Sequence, residues 1–262
     1  MTHDGIEHAR HAVHAATQIP AAAAHAWATR ADDFSHTTLR YVRARGALVG
    51  APLGPSPLRL AVRFSDVSVL LLDERDTVLS SHPFAGRTLD ALRSDVAQAL
   101  SRRGLEGEVP WLEHDLPAHP LYEGAAFGEP LREGNDALEA WFQRADEALA
   151  RVRDAHPTAS PVRCWPHHFD TASLIALDVV GGDRSGSEDA RSVGVGMSPG
   201  DAHLAAPYWY VSPWPAPESA PPALERGRWH RDGFTAAVLD SRGPEVDAFL
   251  TEAIAASLAL LS

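Results

Sequence analysis

Apolar and polar positions alternate along residues 58–64, where Leu58, Leu60, Val62 and Phe64 are apolar. A period of two is that of a β-strand with one face toward a core. Three neighbouring segments are rich in β-branched, aromatic or apolar residues and are also predicted as strands: residues 37–43, 67–72 and 77–80. The first part of the chain therefore favours a sheet built from strands that follow one another closely.

Segments with the periodicity of helices precede and follow these strands in the sequence. Residues 5–30 are dense in alanine and histidine and predict a helix that Pro20 kinks or breaks. Thr88 is placed to cap a second helix, whose apolar stripe is Leu89, Leu92, Val96 and Leu100. Asp136 and Pro244 are predicted to open two more helices, each with its own apolar stripe.

The order of elements predicts the fold class. Five more strand-like segments follow at residues 162–165, 169–180, 193–197, 208–211 and 233–240. We predict an α+β fold with antiparallel sheets and flanking helices, as a single globular domain over residues 1–262. Residues 8–104 and 136–262 share the order helix, strands, helix, which suggests two similar halves packed around a shared core. Residues 105–135 carry prolines and glycines and are predicted as an ordered connection.

The inventory of charged residues excludes several classes of function. The 262 residues include 35 acidic and 23 basic side chains, a net charge of −12, and every basic one is arginine. Without lysine there is no Schiff base, no pyridoxal lysine and no lysine of a Walker loop. Net negative charge opposes attraction to nucleic acid or anionic lipid, so we expect neither nucleic acid nor a membrane as partner.

Cysteine count and the first residues bear on the compartment. Cys164 is the only cysteine, which excludes an internal disulfide and a multi-cysteine metal site. The first ten residues are polar and lack the order of a signal peptide. No stretch approaches the roughly 18 apolar residues of a spanning helix. We expect a cytoplasmic protein.

The densest group of candidate chemical residues is Trp165, Pro166, His167, His168, Phe169 and Asp170. On a strand, His168 and Asp170 would share one face and His167 would take the other. One histidine and one carboxylate are two parts of a two-His-one-carboxylate site for zinc or iron, with His203 or His230 as the third ligand. The same residues fit a polar core network, with Asp170 bonded to turn amides or an arginine. Both interpretations stay open.

Tyrosines and arginines supply further candidate contacts. On a strand over residues 208–211, Tyr208 and Tyr210 share one face and can line a pocket, with their phenols as donors. Core packing is the other use of such an alternation. Arg43 and Arg45 lie two residues apart and can grip a carboxylate or phosphate, or form internal ion pairs.

Several strings together resemble a known family. They are PVRCWPHHFD at 161–170, MSPGD at 197–201, PYWYV at 207–211 and LPAHP at 116–120, with His14, Gln18, His36 and Arg45 earlier. The chain in this respect resembles an uncharacterised bacterial family, the domain of unknown function 5996 type. That family has no assigned activity, so the resemblance transfers no catalytic residue. Some of its members keep Phe-Asp at the positions of Phe169 and Asp170 and have small residues at those of His167 and His168, which favours Asp170 and the aromatic strand as shared pocket elements.

Three hypotheses follow. The first is an enzyme acting on a small molecule, with His168, Asp170 and His36 as catalytic residues. Its substrate would contact Trp165, Tyr208, Tyr210, Arg43 and Arg45. In its metal-dependent form, zinc or iron would bind His167, His168, Asp170, His203 and His230. The second hypothesis is a non-catalytic protein that binds a small molecule in the same pocket, and the third is a scaffold or oligomeric interaction protein.

Overall fold

The computed structural model describes residues 3–54, 56–113, 115–180, 183–184 and 190–262, and the chain forms two compact units. The first unit is Met1–Ala140 with Cys164–Phe169, and the second is Trp141–Arg163 with Asp170–Ser262. Over the described ranges, no helix combines the length and the hydropathy required to cross a membrane.

The first unit is an antiparallel sheet with helices packed on it. Its strands lie in the order β6-β1-β2-β3-β4-β5. The strands are β1 (Leu39–Val42), β2 (Ala47–Gly50), β3 (Arg59–Arg63), β4 (Ser68–Leu72), β5 (Val78–Pro83) and β6 (Arg163–Trp165). The helices are α1 (His3–Trp27), α2 (Leu89–Ser101), the start of α3 (Arg132–Ala155) and three short 3-10 helices at Ser35–Thr37, Arg43–Arg45 and Pro120–Glu123.

Helix α1 lies against β2, β3 and β4 and is buried along most of its length. Its run of alanines from Ala21 to Ala24 has almost no exposed surface, and small side chains let the helix approach the sheet closely. The helix continues through Pro20, so the predicted break there was wrong. Packing against the sheet outweighs the single backbone hydrogen bond that a proline removes.

The second unit is also an antiparallel sheet with helices. Its main strands lie in the order β7-β10-β11-β13-β12. They are β7 (Asp170–Ala176), β10 (Ser192–Ser198), β11 (Tyr208–Trp214), β12 (Arg228–His230) and β13 (Ala236–Leu239), and β8 (Val179–Val180) pairs with β9 (Asp183–Arg184). Helix α4 (Glu245–Leu260) packs on β10, β11 and β13 through Val246, Phe249, Leu250, Ala253 and Ile254, all of them buried.

The predicted fold class is confirmed, because both units are antiparallel sheets flanked by helices. The hydroxyl of Thr88 accepts a hydrogen bond from the Ala91 amide at 3.3 Å, which confirms the predicted cap of α2. Asp136 does not open α3, which begins four residues earlier at Arg132. The similarity of two halves, and the connection at 105–135, stay predictions.

The early start of α3 brings Gly134 against the first turns of α1, and this contact gives a first testable prediction. A Cβ on Gly134 would lie 2.1 Å from the carbonyl oxygen of Gly5 and 2.7 Å from its carbon. Rigid backbone cannot yield as a side chain would, so we expect Gly134→Ala to lower the free energy of unfolding by about 1–3 kcal/mol despite the better helix propensity of alanine. Urea denaturation measures the change.

The control for this prediction is Gly128→Ala in the same unit. Its Cβ would meet only the edge of the His8 ring, at 3.7 Å, which is ordinary van der Waals contact. We expect a change within about 0.5 kcal/mol for this variant. Equal midpoints for the two alanine variants would contradict the close approach of Gly134 to Gly5.

Candidate functional site

The segment from Trp165 to Asp170 forms a tight turn, whereas the candidate metal site required it to be a strand. Strand β6 ends at Trp165, β7 begins at Asp170, and the Phe169 amide donates to the Trp165 carbonyl at 2.7 Å. Phe169 has φ +56°, in the left-handed region that non-glycine residues rarely adopt. The expected alternation of His168 and Asp170 on one strand face was therefore wrong, because the residues between them do not follow strand geometry.

Helix α1 fixes this turn through two buried polar side chains. His14 Nε2 lies 2.8 Å from the carbonyl oxygen of Pro166, and Gln18 Nε2 donates to the same oxygen at 2.7 Å. A carbonyl only accepts, so the His14 ring must carry its proton on Nε2. The His14 ring also stacks on Phe169, with ring centroids 5.1 Å apart. His14 and Gln18 thus hold the turn that carries His167 and His168.

Around His14 the first unit gathers a set of ionisable side chains, which we name the histidine cluster. His11 stacks on His119 at 4.3 Å between ring centroids, and Tyr122 meets the edge of His14 at 6.2 Å. His168 lies on the turn that His14 holds, and it is among the groups that lower the pKa of His14. The cluster comprises His11 and His14 on α1, His119 and Tyr122 at the Pro120–Glu123 helix, and His168 on the turn.

The ionisation of four members is shifted. Burial is the main cause that lowers the pKa of His14 to about 4, and burial together with the neighbouring Arg10 lowers the pKa of His11 to about 4. Burial likewise lowers the pKa of His119 and raises that of Tyr122. Buried groups with shifted pKa values that lie together make this part of the first unit a candidate functional site.

Hydrogen bonds and pKa values determine which atoms of the cluster carry protons at neutral pH. Arg10 can only donate, so its contact of 3.3 Å with His11 Nε2 leaves that nitrogen as the acceptor. Glu7 lies 3.8 Å from the same nitrogen, but the lowered pKa of His11 means that this contact is not an ion pair near pH 7. His14 and His11 are therefore neutral: the N–H of His14 is used on the Pro166 carbonyl, and the Nε2 lone pair of His11 accepts from Arg10. Tyr122 stays protonated, and its buried hydroxyl has no partner among the described residues.

The aromatic strand in the second unit has the predicted alternation. The rings of Tyr208 and Tyr210 lie 6.3 Å apart, while Trp209 packs near Trp141 at 6.4 Å. Tyr210 donates to Asp170, and Tyr208 donates to Asp201 at 2.5 Å. Burial and the Asp201 carboxylate raise the pKa of Tyr208, so this phenol remains a donor. Both phenols are thus engaged by carboxylates within their own unit.

A cavity of about 200 Å³ borders this strand. His203 lies 6.2 Å from His230 by ring centroids, and Phe234 contacts both rings. Asp201 accepts from the amides of His203 and Leu204, so it holds the turn before β11. The residues that line the cavity are His203, Leu204, Ala205, Ala206, Tyr208, Arg228, Val238 and Asp240.

The predicted metal ligands do not come together. Among the residues that the structure describes, no three histidine, cysteine, aspartate or glutamate side chains lie close enough to hold one metal ion. His167 packs on His168 at 4.3 Å, and His203 and His230 form a separate pair in the second unit. No such group of three is formed by the predicted residues His167, His168, Asp170, His203 and His230 in the described part of the chain, and the turn interrupts the strand alternation of His168 and Asp170 on which the prediction was built.

The other predicted residues lie apart from the histidine cluster or have structural partners. Trp165 meets the edge of His167 at 6.0 Å, beside the turn. His36 is buried in the Ser35–Thr37 helix, accepts from the Ala31 amide and stacks on His25. Arg45 donates to the Asp76 carbonyl, and Arg43 lies with it in a 3-10 helix in place of the predicted strand end.

Sequence reasoning missed His11, Arg10, His119 and Tyr122 as members of a site. A signal for α1 existed, because Glu7, His11, His14 and Gln18 are spaced by four, three and four residues. That spacing places them along one side of a helix. Of these four residues His14 and Gln18 are buried, so the stripe continues from the exposed Glu7 into the interior of the unit. Nothing comparable along the sequence marks His119 and Tyr122.

Comparisons with known proteins found no match, so the functional proposal below is argued from the geometry of the site. No protein-family model matches this chain, and neither a curated protein nor a solved structure matches it. The resemblance of the PVRCWPHHFD, MSPGD and PYWYV strings to an uncharacterised bacterial family therefore stays a prediction.

Proposed function

We propose that this protein is an enzyme acting on a small molecule bound at the histidine cluster. The observation that carries the proposal is the gathering of His11, His14, His119 and Tyr122, all with shifted ionisation, at one place in the first unit. These side chains combine burial, ring contacts and shifted pKa values, which is the pattern of candidate functional groups. Imidazoles are also the commonest proton carriers in enzymes.

Burial and hydrogen bonding suggest different roles for the two central histidines. His168 is exposed on the turn, where a substrate can reach it, and we assign it as the general base. His14 is buried beneath the turn and is bound to Pro166, so it is a positioning residue that orients the segment carrying His168. Tyr122 supplies a protonated hydroxyl beside His14. Asp170 has no role in this proposal, since Tyr210 engages it in the second unit.

The test is turnover of metabolites by the purified full chain. A pool of small metabolites from a bacterial extract is incubated with the protein, and mass spectrometry follows which compounds are consumed and which appear. We expect at least one substrate and product pair with the native chain, and a rate about 10²- to 10⁴-fold lower with His168→Gln, because glutamine cannot accept a proton. Glutamine is close in size to histidine, so the exposed turn should fold unchanged.

The matched control is His82→Gln in the same unit. His82 lies on β5, bonds to Ser80 at 3.0 Å and is not a member of the histidine cluster. We expect native turnover from this variant. If His168→Gln and His82→Gln react at the native rate, the assignment of His168 is wrong, and if the native chain transforms no compound, the proposal of an enzyme is wrong.

The cavity beside β11 favours a second candidate function, which is non-catalytic binding of a small molecule in the second unit. Its volume of about 200 Å³ accommodates a small metabolite, and Tyr208, His203 and Arg228 line it. The same experiment separates the two functions. A compound that copurifies with the chain or stabilises it against heat, without being transformed, supports binding alone.

A further inference from the structure

We propose that the cavity beside β11 binds a small amino acid in its zwitterionic form, with the carboxylate at Arg228 and the ammonium group at Asp240. This inference rests on the second candidate function, since it names the chemical class of the ligand for that cavity. It involves no residue of the histidine cluster. Three features of the second unit carry it: two opposite charges, an apolar surface beside them, and a wall that hydrogen bonds hold in place.

Arg228 and Asp240 lie on one face of the sheet, next to neighbouring strands. Arg228 of β12 is paired with Val238 of β13, and Asp240 follows Val238 by two residues, directly after the strand ends. Residues two apart share a face, and diagonal neighbours across an antiparallel pair lie about 7–8 Å apart. Tyr208 reaches the same face from β11, because Tyr210, two residues further along, is paired with Val238. The register therefore brings a cation, an anion and an aromatic ring to one cavity.

The two charges have no protein partner. Within the described ranges, the Arg228 guanidinium and the Asp240 carboxylate form no hydrogen bond and no ion pair, either with each other or with another residue. A ligand with one anionic and one cationic group can contact both, and a guanidinium matches a carboxylate in bidentate geometry. A purely anionic ligand would contact Arg228 but meet the like charge of Asp240, and a purely cationic ligand would have the converse difficulty.

The apolar part of the lining sets the size and character of the ligand. Tyr208 and Val238 belong to one hydrophobic cluster, and Leu204 packs against it. Tyr208 and Val238 are only 5% and 1% exposed, whereas Arg228 and Asp240 are exposed. The charges thus lie toward solvent and the apolar groups toward the interior. A volume of about 200 Å³ accommodates an amino acid whose small apolar side chain lies on the buried surface.

The wall of the cavity at residues 203–206 is held in position by hydrogen bonds. Asp201 accepts from the amides of His203 and Leu204 at 2.8 and 2.9 Å and from the Tyr208 hydroxyl at 2.5 Å. The Asp201 amide donates in return to the Leu204 carbonyl at 2.9 Å. Phe234 meets the edge of the His203 ring, with centroids 5.6 Å apart. A wall that is already ordered lowers the entropic cost of binding, which favours a small ligand with few contacts.

The experiment is an NMR titration of the full chain with L-valine and with two compounds that each lack one of its charged groups. Isobutylamine is valine without the carboxylate, and isovalerate is valine without the ammonium group. The signals of the His203 ring, assigned with His203→Gln, report binding because this ring lines the cavity. At pH 7 and constant ionic strength, we expect L-valine to bind at least about tenfold more tightly than either analogue, since each analogue loses one charged contact.

Variants test each charged contact separately. Arg228→Gln should weaken binding of L-valine about tenfold and remove its advantage over isobutylamine. Asp240→Asn should weaken it by a similar factor and remove its advantage over isovalerate. Both side chains are exposed, so the variants should fold as the native chain does. The matched controls are Arg231→Gln and Asp232→Asn, at exposed residues that do not line the cavity, and both should bind L-valine like the native chain.

The outcomes separate this inference from the functions proposed above. Equal binding of L-valine and isovalerate would indicate an anion site, equal binding of L-valine and isobutylamine a cation site, and either result contradicts the amino-acid class. The class is also wrong if neither L-alanine, L-valine nor L-leucine shifts the His203 signals, while a different compound that copurifies with the chain would still establish binding. Turnover that depends on His168 involves neither Arg228 nor Asp240, so the enzyme proposal is tested independently of these titrations.

Discussion

Replacing Trp209 with alanine is expected to lower the free energy of unfolding of the second unit by about 3–5 kcal/mol. The ring of Trp209 has no exposed surface, and its Nε1 donates to the Ser241 carbonyl at 2.8 Å. The substitution therefore removes a large apolar contact and leaves a buried carbonyl without this donor. The loss of packing is the larger part, because a single neutral hydrogen bond contributes only about 1 kcal/mol.

Urea denaturation followed by circular dichroism measures this change, and Trp214→Ala on the same strand is the control. Trp214 is 53% exposed, so its removal should alter stability by less than about 1 kcal/mol. The two variants change the same residue type on one strand and differ chiefly in burial. Similar midpoints for both would show that Trp209 does not lie in the core of the second unit.

The fold could be predicted where local pattern and burial agree. The stripe Leu89, Leu92, Val96 and Leu100 is buried in α2 as expected, since a helix with one polar face has only one way to face a core. The alternation of Tyr208, Trp209 and Tyr210 likewise gave the correct faces of β11. Each of these elements is specified by residues close to it in the sequence.

The turn at residues 166–169 could not be predicted in this way. Its sequence contains no glycine, the residue that most readily adopts the left-handed region, so nothing local marks Phe169 as a turn position. Phe169 lies in the left-handed region of a turn that residues about 150 positions earlier in the chain hold: His14 and Gln18 bind the Pro166 carbonyl, and His14 stacks on Phe169. Long-range contacts of this kind outweigh local propensity, and a single sequence does not reveal them.

The candidate site could be predicted only in part, because it too depends on contacts between residues that are far apart in the sequence. His168 was identified because it stands in a dense polar string, and it does lie near His14. The metal hypothesis extended a strand alternation that the turn interrupts, and it relied on His203 and His230 from far along the chain. With 14 histidines in 262 residues, sequence proximity is weak evidence of a ligand set. Spacing along α1 would have been the better guide, because a helix positions its side chains regularly.

The second large effect expected is a loss of stability in mild acid caused by His14. The pKa of this buried ring is lowered from 6.5 to about 4, chiefly by burial. Above pH 6.5 the ring is neutral in both the folded and the unfolded chain, so His14 contributes no dependence on pH. As the pH falls from 6.5 toward 4, the unfolded chain takes up a proton that the folded chain does not. Stability therefore falls through this range, by about 3 kcal/mol from His14 alone.

His14→Gln isolates this contribution, because glutamine has an N–H donor for the Pro166 carbonyl but takes up no proton in this range. Urea denaturation at pH 7, 6, 5 and 4 should show a smaller acid loss for the variant than for the native chain, with the two curves diverging below pH 6.5. His11 and His119 also have lowered pKa values and act in the same direction, so the variant retains part of the slope. Parallel curves for the two proteins would mean that His14 is protonated in the folded chain. The conclusion that His14 is a neutral donor that orients the turn would then be wrong. Its assigned role in positioning His168 would be wrong as well.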